Sequence, residues 1–440
     1  MSELTRAAGS AATLTAEPRR PPMARIALSC LTGSAIEFYD FLIYGTASAL
    51  VFPAVFFPGL SPGVAMIASM GTFATAFLSR PLGAAAFGYY GDRLGRKKTL
   101  VATLLIMAVS TVSVGLVPST VSIGMAAPLI LMVLRLLQGF AVGGEWAGSV
   151  LLSAEYAPAN RRGLYGMFTL LGGGVAGVLS SLTFLGVNVT IGEYSPEFLQ
   201  WGWRIPFLIS AVLIALALYV RLNIDETPVF VEERSRNLVP KAPVAEALRL
   251  QRREIVLAAG ASVGGMAFVY MGNTYLAMYA HSHLSYPRSF IWSVGALAAL
   301  ASIVCLVVSA VLSDRMGRRR LMLVGWAASV PWSFAVMPLI DTGKPVWYAV
   351  AIVGTFAING IGSGPVGAFV PELFATRYRY TGSALSINLA GVLGGAVPPM
   401  IAGTLMSAYG TWSIGAMLAG LALISLVCTY LLPETMETKL

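Results

Sequence analysis

Twelve stretches of this chain are apolar and long enough to cross a lipid bilayer, a path that takes roughly 20 helical residues. They fall at 26–52, 64–90, 98–117, 121–155, 163–188, 204–221, 255–281, 289–313, 321–340, 346–372, 380–406 and 412–433. In hydrocarbon every backbone N–H and C=O must find its partner inside the protein, so a chain with this pattern folds as transmembrane helices. The fold expected is therefore an all-α polytopic membrane protein. Composition agrees: 57% of the residues are hydrophobic and only 11% charged, against about 25% charged in a soluble domain. So few polar groups cannot cover a soluble fold of 440 residues. Soluble enzymes, nucleic-acid binders, disordered chains and disulfide scaffolds are excluded.

Orientation follows from the basic residues, because short loops rich in Lys and Arg stay on the cytoplasmic side. With the N-terminus inside, 24 of the 29 Lys and Arg fall on that side, and only Arg204, Arg288 and Lys344 fall outside. Two more, Arg80 and Arg135, lie within spans. The net charge of +9 is thus a topology signal and not a nucleic-acid footprint. Both termini are expected in the cytoplasm, and the fourth span, longer than a bilayer needs, should project there. The domain reading is a disordered tail at 1–25, a six-helix bundle at 26–221, a cytoplasmic loop at 222–254, a second bundle at 255–433 and a short tail at 434–440. Within the loop, 241–254 (KAPVAEALRLQRRE) can form a short helix on the inner surface or serve as a solvated linker.

The two halves repeat. GDRLGRKK at 91–98 returns as SDRMGRRR at 313–320, matching Asp92 with Asp314, Arg93 with Arg315 and Arg96 with Arg318. A second echo pairs Glu155, followed by Arg161 and Arg162, with Glu372, followed by Arg377 and Arg379. Such duplication marks two pseudo-symmetric six-helix units, and in duplicated transporters the site lies near the midplane between them.

With its D-R-x-G-R-[RK] loop present twice, the sequence resembles the major facilitator superfamily across 26–433. Six motifs, one of them containing the first of these loops, resemble the metabolite:proton symporters, a family that includes shikimate, α-ketoglutarate, citrate and proline/betaine permeases. They are IEFYDFLIYG (36–45), RPLGAAAFGYYGDRLGRK (80–97), RLLQGFAVGGEWAGS (135–149), WGWRIPF (201–207), DETPVF (225–230) and PELFATRYRYTG (371–382). Phe38 and the run Ala147-Gly148-Ser149 depart from the family pattern, and are expected to bear on substrate choice. The fifth span lacks the Gly-Pro of drug/proton antiporters, which favours symport. The resemblance implies alternating access driven by the proton gradient, with no cofactor and a monomeric chain.

Ionisable groups at bilayer depth cost several kcal/mol, roughly 2.5–3.5 on insertion scales, and so mark function. Glu37 and Asp40 lie in span 1, Arg80 in span 2, and Arg135 and Glu145 in span 4; spans 7 to 12 hold no acid or base in their interiors. Proton coupling therefore falls to Asp40, Glu37 and Glu145. Helical spacing puts Glu37, Asp40 and Tyr44 on one stripe, and Arg135, Gln138 and Glu145 on another. Asp40 and Arg135 each lie on the order of 20 Å from the outer ends of their spans, so an ion pair between them is geometrically feasible. Arg135 could grip a substrate carboxylate in competition with Asp40, or the pair could simply hold two helices together. Glu145 is either a second protonation site or an inner-gate element. Arg80 precedes Pro81 and is expected to bond the carbonyl that the proline frees.

Neutral substrate contacts are expected from Tyr270, Asn273, Asn359 and Asn388, with interhelical hydrogen bonds the alternative for both Asn359 and Asn388. Asp92, Arg93, Arg96, Glu155, Arg161, Asp314, Arg315, Arg318, Glu372 and Arg379 are read as a gate whose ion pairs form and break during transport. Three separated cysteines and two histidines give no metal site. There is no GxxxxGK[ST] to cradle ATP, and no HExxH or GxSxG to do chemistry. The expected function is proton-coupled uptake of a small organic acid across the cell membrane. The alternatives are a permease for a zwitterion such as proline or betaine, or an antiporter. Compatible-solute permeases often carry a long coiled-coil tail, and only seven residues follow Pro433.

Overall fold

A computed structural model describes residues 23–94, 96–192, 195–222, 243–375 and 379–437, apart from the side chains at 91–94, Arg96, Glu155, Ala159, Val220, Arg221 and Pro243. Among the described residues there is no strand. Twelve helices are long and apolar enough to span a membrane: α1 Met23–Leu50, α2 Pro62–Tyr90, α3 Lys97–Leu116, α4 Ala126–Ala154, α5 Arg162–Ile191, α6 Gly202–Tyr219, α7 Arg252–Ser282, α8 Arg288–Met316, α9 Arg318–Asp341, α10 Pro345–Glu372, α11 Arg379–Tyr409 and α12 Trp412–Leu431. They coincide with the twelve expected spans. The disordered tail expected at 1–25 lies largely outside the described residues, as does 223–242 of the central loop. Its last part does form a helix, Pro243–Leu250, whose Ala247 is buried against the bundle.

The repeat seen in the sequence is a repeat of packing. In the first half α2 packs on α4, α1 on α5, α3 on α4 and α6, and α1 on α6; in the second α8 packs on α10, α7 on α11, α9 on α10 and α12, and α7 on α12. The halves meet along α5 with α8 and along α2 with α11. Small residues set these contacts, because in lipid the gain comes from close backbone approach. A Cβ on Gly139 would sit 1.9 Å from the Ala76 carbonyl oxygen, and one on Gly143 would sit 2.2 Å from that of Arg80. The second half repeats the device four residues apart on α10, where a Cβ on Gly360 would lie 2.7 Å from the Ser302 oxygen and one on Gly364 2.8 Å from that of Leu306.

Two of the helices facing the centre are not regular. α7 carries a π-helical segment at Met271–Tyr275 and α11 another at Gly391–Ala396, a distortion that in helices often marks a functional position. At the end away from the Lys- and Arg-rich loops, Tyr44, Phe52, Phe56, Trp203 and Phe207 form an aromatic cluster that ties α1 to α6.

Candidate functional site

The first half buries a continuous string of polar groups. Asp40 of α1 is 1% exposed. Its Oδ2 accepts a hydrogen bond from Thr111 of α3 at 2.7 Å and its Oδ1 one from Ser210 of α6 at 2.7 Å. The Thr111 hydroxyl in turn accepts from Gln138 Nε2 at 2.6 Å, and Gln138 Oε1 accepts from Arg135 Nη1 at 2.8 Å. Asp40 and Arg135 are therefore joined through Thr111 and Gln138 in place of the direct ion pair that their depths allowed. An ionised carboxylate only accepts, whereas a protonated one also donates. Taking up a proton on Asp40 would thus reverse the sense of one of its two hydrogen bonds.

Arg135 is fully buried, and its Nε and Nη2 have no hydrogen-bond partner. What surrounds it is aromatic: its Cζ lies 4.0 Å from the ring centre of Phe41, 4.1 Å from that of Tyr44 and 5.2 Å from that of Phe73. Tyr44 donates its own hydroxyl to Thr72 at 2.9 Å. Arg80 departs from expectation. Among the described residues it makes no hydrogen bond to the backbone near Pro81, and its Cζ instead lies 4.1 Å from the Phe41 ring and 4.4 Å from that of Phe77. Glu37 and Glu145 are both buried, and Glu145 accepts from Thr103 at 3.4 Å.

Between the halves lies a cavity of about 110 Å³. Phe38 and Leu42 line it from α1, Trp146 from α4, glycines 173, 174 and 177 from α5, Ser262, Tyr270 and Asn273 from α7, Trp326 from α9, and Asn359 and Ser363 from α10. Three of the expected contacts, Tyr270, Asn273 and Asn359, therefore meet at one place. Arg135, Gln138 and Tyr44 are not among its lining residues, and the lining holds no carboxylate or cationic side chain. Asn388 takes the other role open to it: its Nδ2 donates to Gly143 O at 3.0 Å and to Ala384 O at 2.7 Å, binding α11 to α4. Trp146 and Trp326 escaped the sequence reading because an indole in an apolar helix looks like any core residue. Thr111 and Ser210 escaped it because hydroxyls are scattered through every span. Among the described residues no group of His, Cys, Asp and Glu could hold a metal ion.

Contacts bridge the halves on both sides of the cavity. At the Lys- and Arg-rich end, Asp314 accepts from the backbone N–H groups of Gly163 and Leu164 at 2.8 and 2.9 Å, capping the start of α5 from the other half. A carboxylate at a helix N-terminus is favourably placed against the helix dipole. Arg318, 1% exposed, lies 3.2 Å from Asp314 and 2.9 Å from Glu372, and Thr435 donates to Glu372 at 2.7 Å. Arg379 donates to Pro371 O at 3.1 Å. Glu434, which the sequence did not single out, accepts from the N–H groups of Arg318 and Arg319 at 2.9 and 3.1 Å. Arg161 and Arg315 are exposed and join none of these contacts among the described residues. Of the other residues expected at the gate, the side chains of Asp92, Arg93, Arg96 and Glu155 lie outside the described residues. At the far end Arg288 donates to Leu50 O at 3.1 Å, and Trp292 stacks on Phe184 with centroids 5.3 Å apart.

Twelve apolar helices around a central cavity define a multi-pass membrane transporter, and the comparisons agree. The Major Facilitator Superfamily profile matches residues 35–397, and the chain belongs to that superfamily. It is 38% identical over 421 residues to the inner membrane metabolite transport protein YhjE of Escherichia coli (strain K12), covering 94% of this chain and 95% of that one. To the shikimate transporter of the same organism it is 34% identical, covering 93% and 94%. To the proline/betaine transporter of Salmonella typhimurium it is 32% identical, covering 93% and 83%. Among solved structures the fold is similar to that of the proton:xylose symporter XylE bound to 6-bromo-6-deoxy-D-glucose, with a TM-score of 0.76 at 17% identity, covering 94% of this chain and 96% of that one. The protein is a transporter of metabolites and not an enzyme.

Proposed function

We propose that this chain is a proton-coupled symporter that takes up a small organic acid by alternating access across the inner membrane. Both termini face the cytoplasm, and the bundles at 26–221 and 255–433 move about the central cavity. The proton gradient, and no resident cofactor, supplies the driving force. The observation that carries this reading is Asp40: a carboxyl group withdrawn from water in the membrane, satisfied by two hydroxyls and linked by a hydrogen-bonded string to a buried arginine. Asp40 carries the proton, with Glu37 and Glu145 as the neighbouring acids, and the Asp314–Arg318–Glu372 contacts act as the gate. The 34% identity to a shikimate transporter supports an acid as cargo, met in the cavity by Tyr270, Asn273 and Asn359.

A second reading, a zwitterion such as proline or betaine, is favoured by one observation. The cavity is lined by Phe38, Trp146, Tyr270 and Trp326 and by no charged group, and aromatic faces suit a quaternary ammonium. Uptake and exchange by Asp40→Asn and Glu37→Gln test the coupling assignment. Uphill uptake is expected to vanish in both, with exchange down a gradient kept in at least one. Full concentrative transport by both variants would remove these residues from the role.

A further inference from the structure

The buried proton string and the cavity share no residue, and Arg135 faces the string rather than the cavity. What lies between them is a stack of rings and cations. Phe41, 1% exposed, is contacted by two guanidiniums at once, Arg135 at 4.0 Å and Arg80 at 4.1 Å from its ring centre. Two cations repel, and here the negative face of an aromatic ring is the group common to both. Arg80 Nε, like Arg135 Nε and Nη2, has no hydrogen-bond partner. From this pair the contacts run outward. Phe41 meets Phe77 edge-on at 5.7 Å, and Phe77 meets Tyr270 edge-on at 5.2 Å. Tyr270 lines the cavity from the other half. Arg80 reaches that half directly: its Nη1 lies 3.2 Å from where a Cβ on Gly391 would be, at the first residue of the π-helical segment of α11.

We infer that Phe41 is the positioning residue that couples the cavity to the proton string, by holding Arg80 and Arg135 on one ring between Tyr270 and the Gln138–Thr111–Asp40 hydrogen bonds. When the halves rock, Tyr270 and Gly391 move with the second half and Asp40 with the first. The shared ring makes Arg135 follow, and so changes what Gln138 and Thr111 offer to Asp40. This rests on the proton-symport reading, and the test separates the two.

Replacing Phe41 by mono-, di- and trifluorophenylalanine keeps the shape of the ring while draining its negative face stepwise; Phe41→Leu removes the ring. Proteoliposomes with each variant are loaded against shikimate, α-ketoglutarate, citrate, proline and betaine in turn, and both gradient-driven accumulation and one-for-one exchange are read. The expected result is an accumulation ratio that falls stepwise, by about tenfold at the trifluoro ring, with exchange held within about twofold of the unmodified protein. Full accumulation by the trifluoro and Leu variants would overturn the coupling role of Phe41 alone. Accumulation and exchange falling together along the fluorine series would also overturn it, since that is the mark of a merely structural ring. If the unmodified protein accumulates none of the compounds in response to a proton gradient, the symport reading and this inference fall together.

Discussion

Thr111 is the residue on which the buried string turns. Its hydroxyl gives its proton to Asp40 and accepts from Gln138, so Thr111→Val leaves an acceptor and a donor unpaired in a site that water does not reach. Leaving a buried polar group without its partner costs roughly 1–3 kcal/mol, and thermal unfolding in detergent should register a loss of that size, with Thr111→Ser close to the parent. Uphill uptake by Thr111→Val should fall with it. An unchanged melting temperature would mean that the string is not a stable feature of the fold. Asp40 itself was legible in the sequence because a carboxylate in a span has so few innocent explanations. Its partners were not, since a threonine or serine in an apolar helix carries no sign of which neighbour it will face. Asn388 shows the same limit from the other side, as a polar residue in a span that serves a helix contact and not the cavity.

Between elements, the glycines are what let α2 and α4 touch. Gly139→Ala places a methyl group where the Ala76 carbonyl oxygen already sits, and it should cost about 3 kcal/mol, the upper end for overpacking. Gly186→Ala meets nothing within 4 Å and should stay within about 0.5 kcal/mol of the parent, as surface changes do. Comparing the two by thermal unfolding checks whether the contact or the loss of glycine as such matters. The Asp314 cap makes a second prediction at this scale. Asp314→Ala removes two charge-assisted hydrogen bonds across the halves, each worth roughly 1.5–3 kcal/mol. Hydrogen exchange at Gly163 and Leu164 should accelerate at least tenfold while the amides in the middle of α5 hold. Equal protection in parent and variant would remove Asp314 from the bridge. The paired D-R-x-G-R loops announced this contact in the sequence. The π-helical segments of α7 and α11 were illegible there, because a bulge in an apolar helix leaves the hydrophobic run uninterrupted.

At the scale of the whole molecule, duplication explains why so much of the architecture could be read. Hydropathy located the spans, and the offset repeat related the halves, whose helix pairings then recur. The central cavity could not be read, because its walls are drawn from eight helices and its most chemically distinctive residues are indoles and amides rather than charges. Relatives named for different metabolites, a shikimate transporter and a proline/betaine transporter, match this chain over nearly its whole length. Symport requires that cargo and protons move together. Purified protein in proteoliposomes should be offered shikimate, α-ketoglutarate, citrate, aromatic acids, proline and betaine one at a time, with a pH dye in the external medium. One organic acid, on addition, should make the medium more alkaline as proton and acid enter together, and Asp40→Asn should abolish the signal. Entry of a substrate against its gradient with no movement of protons would overturn proton symport.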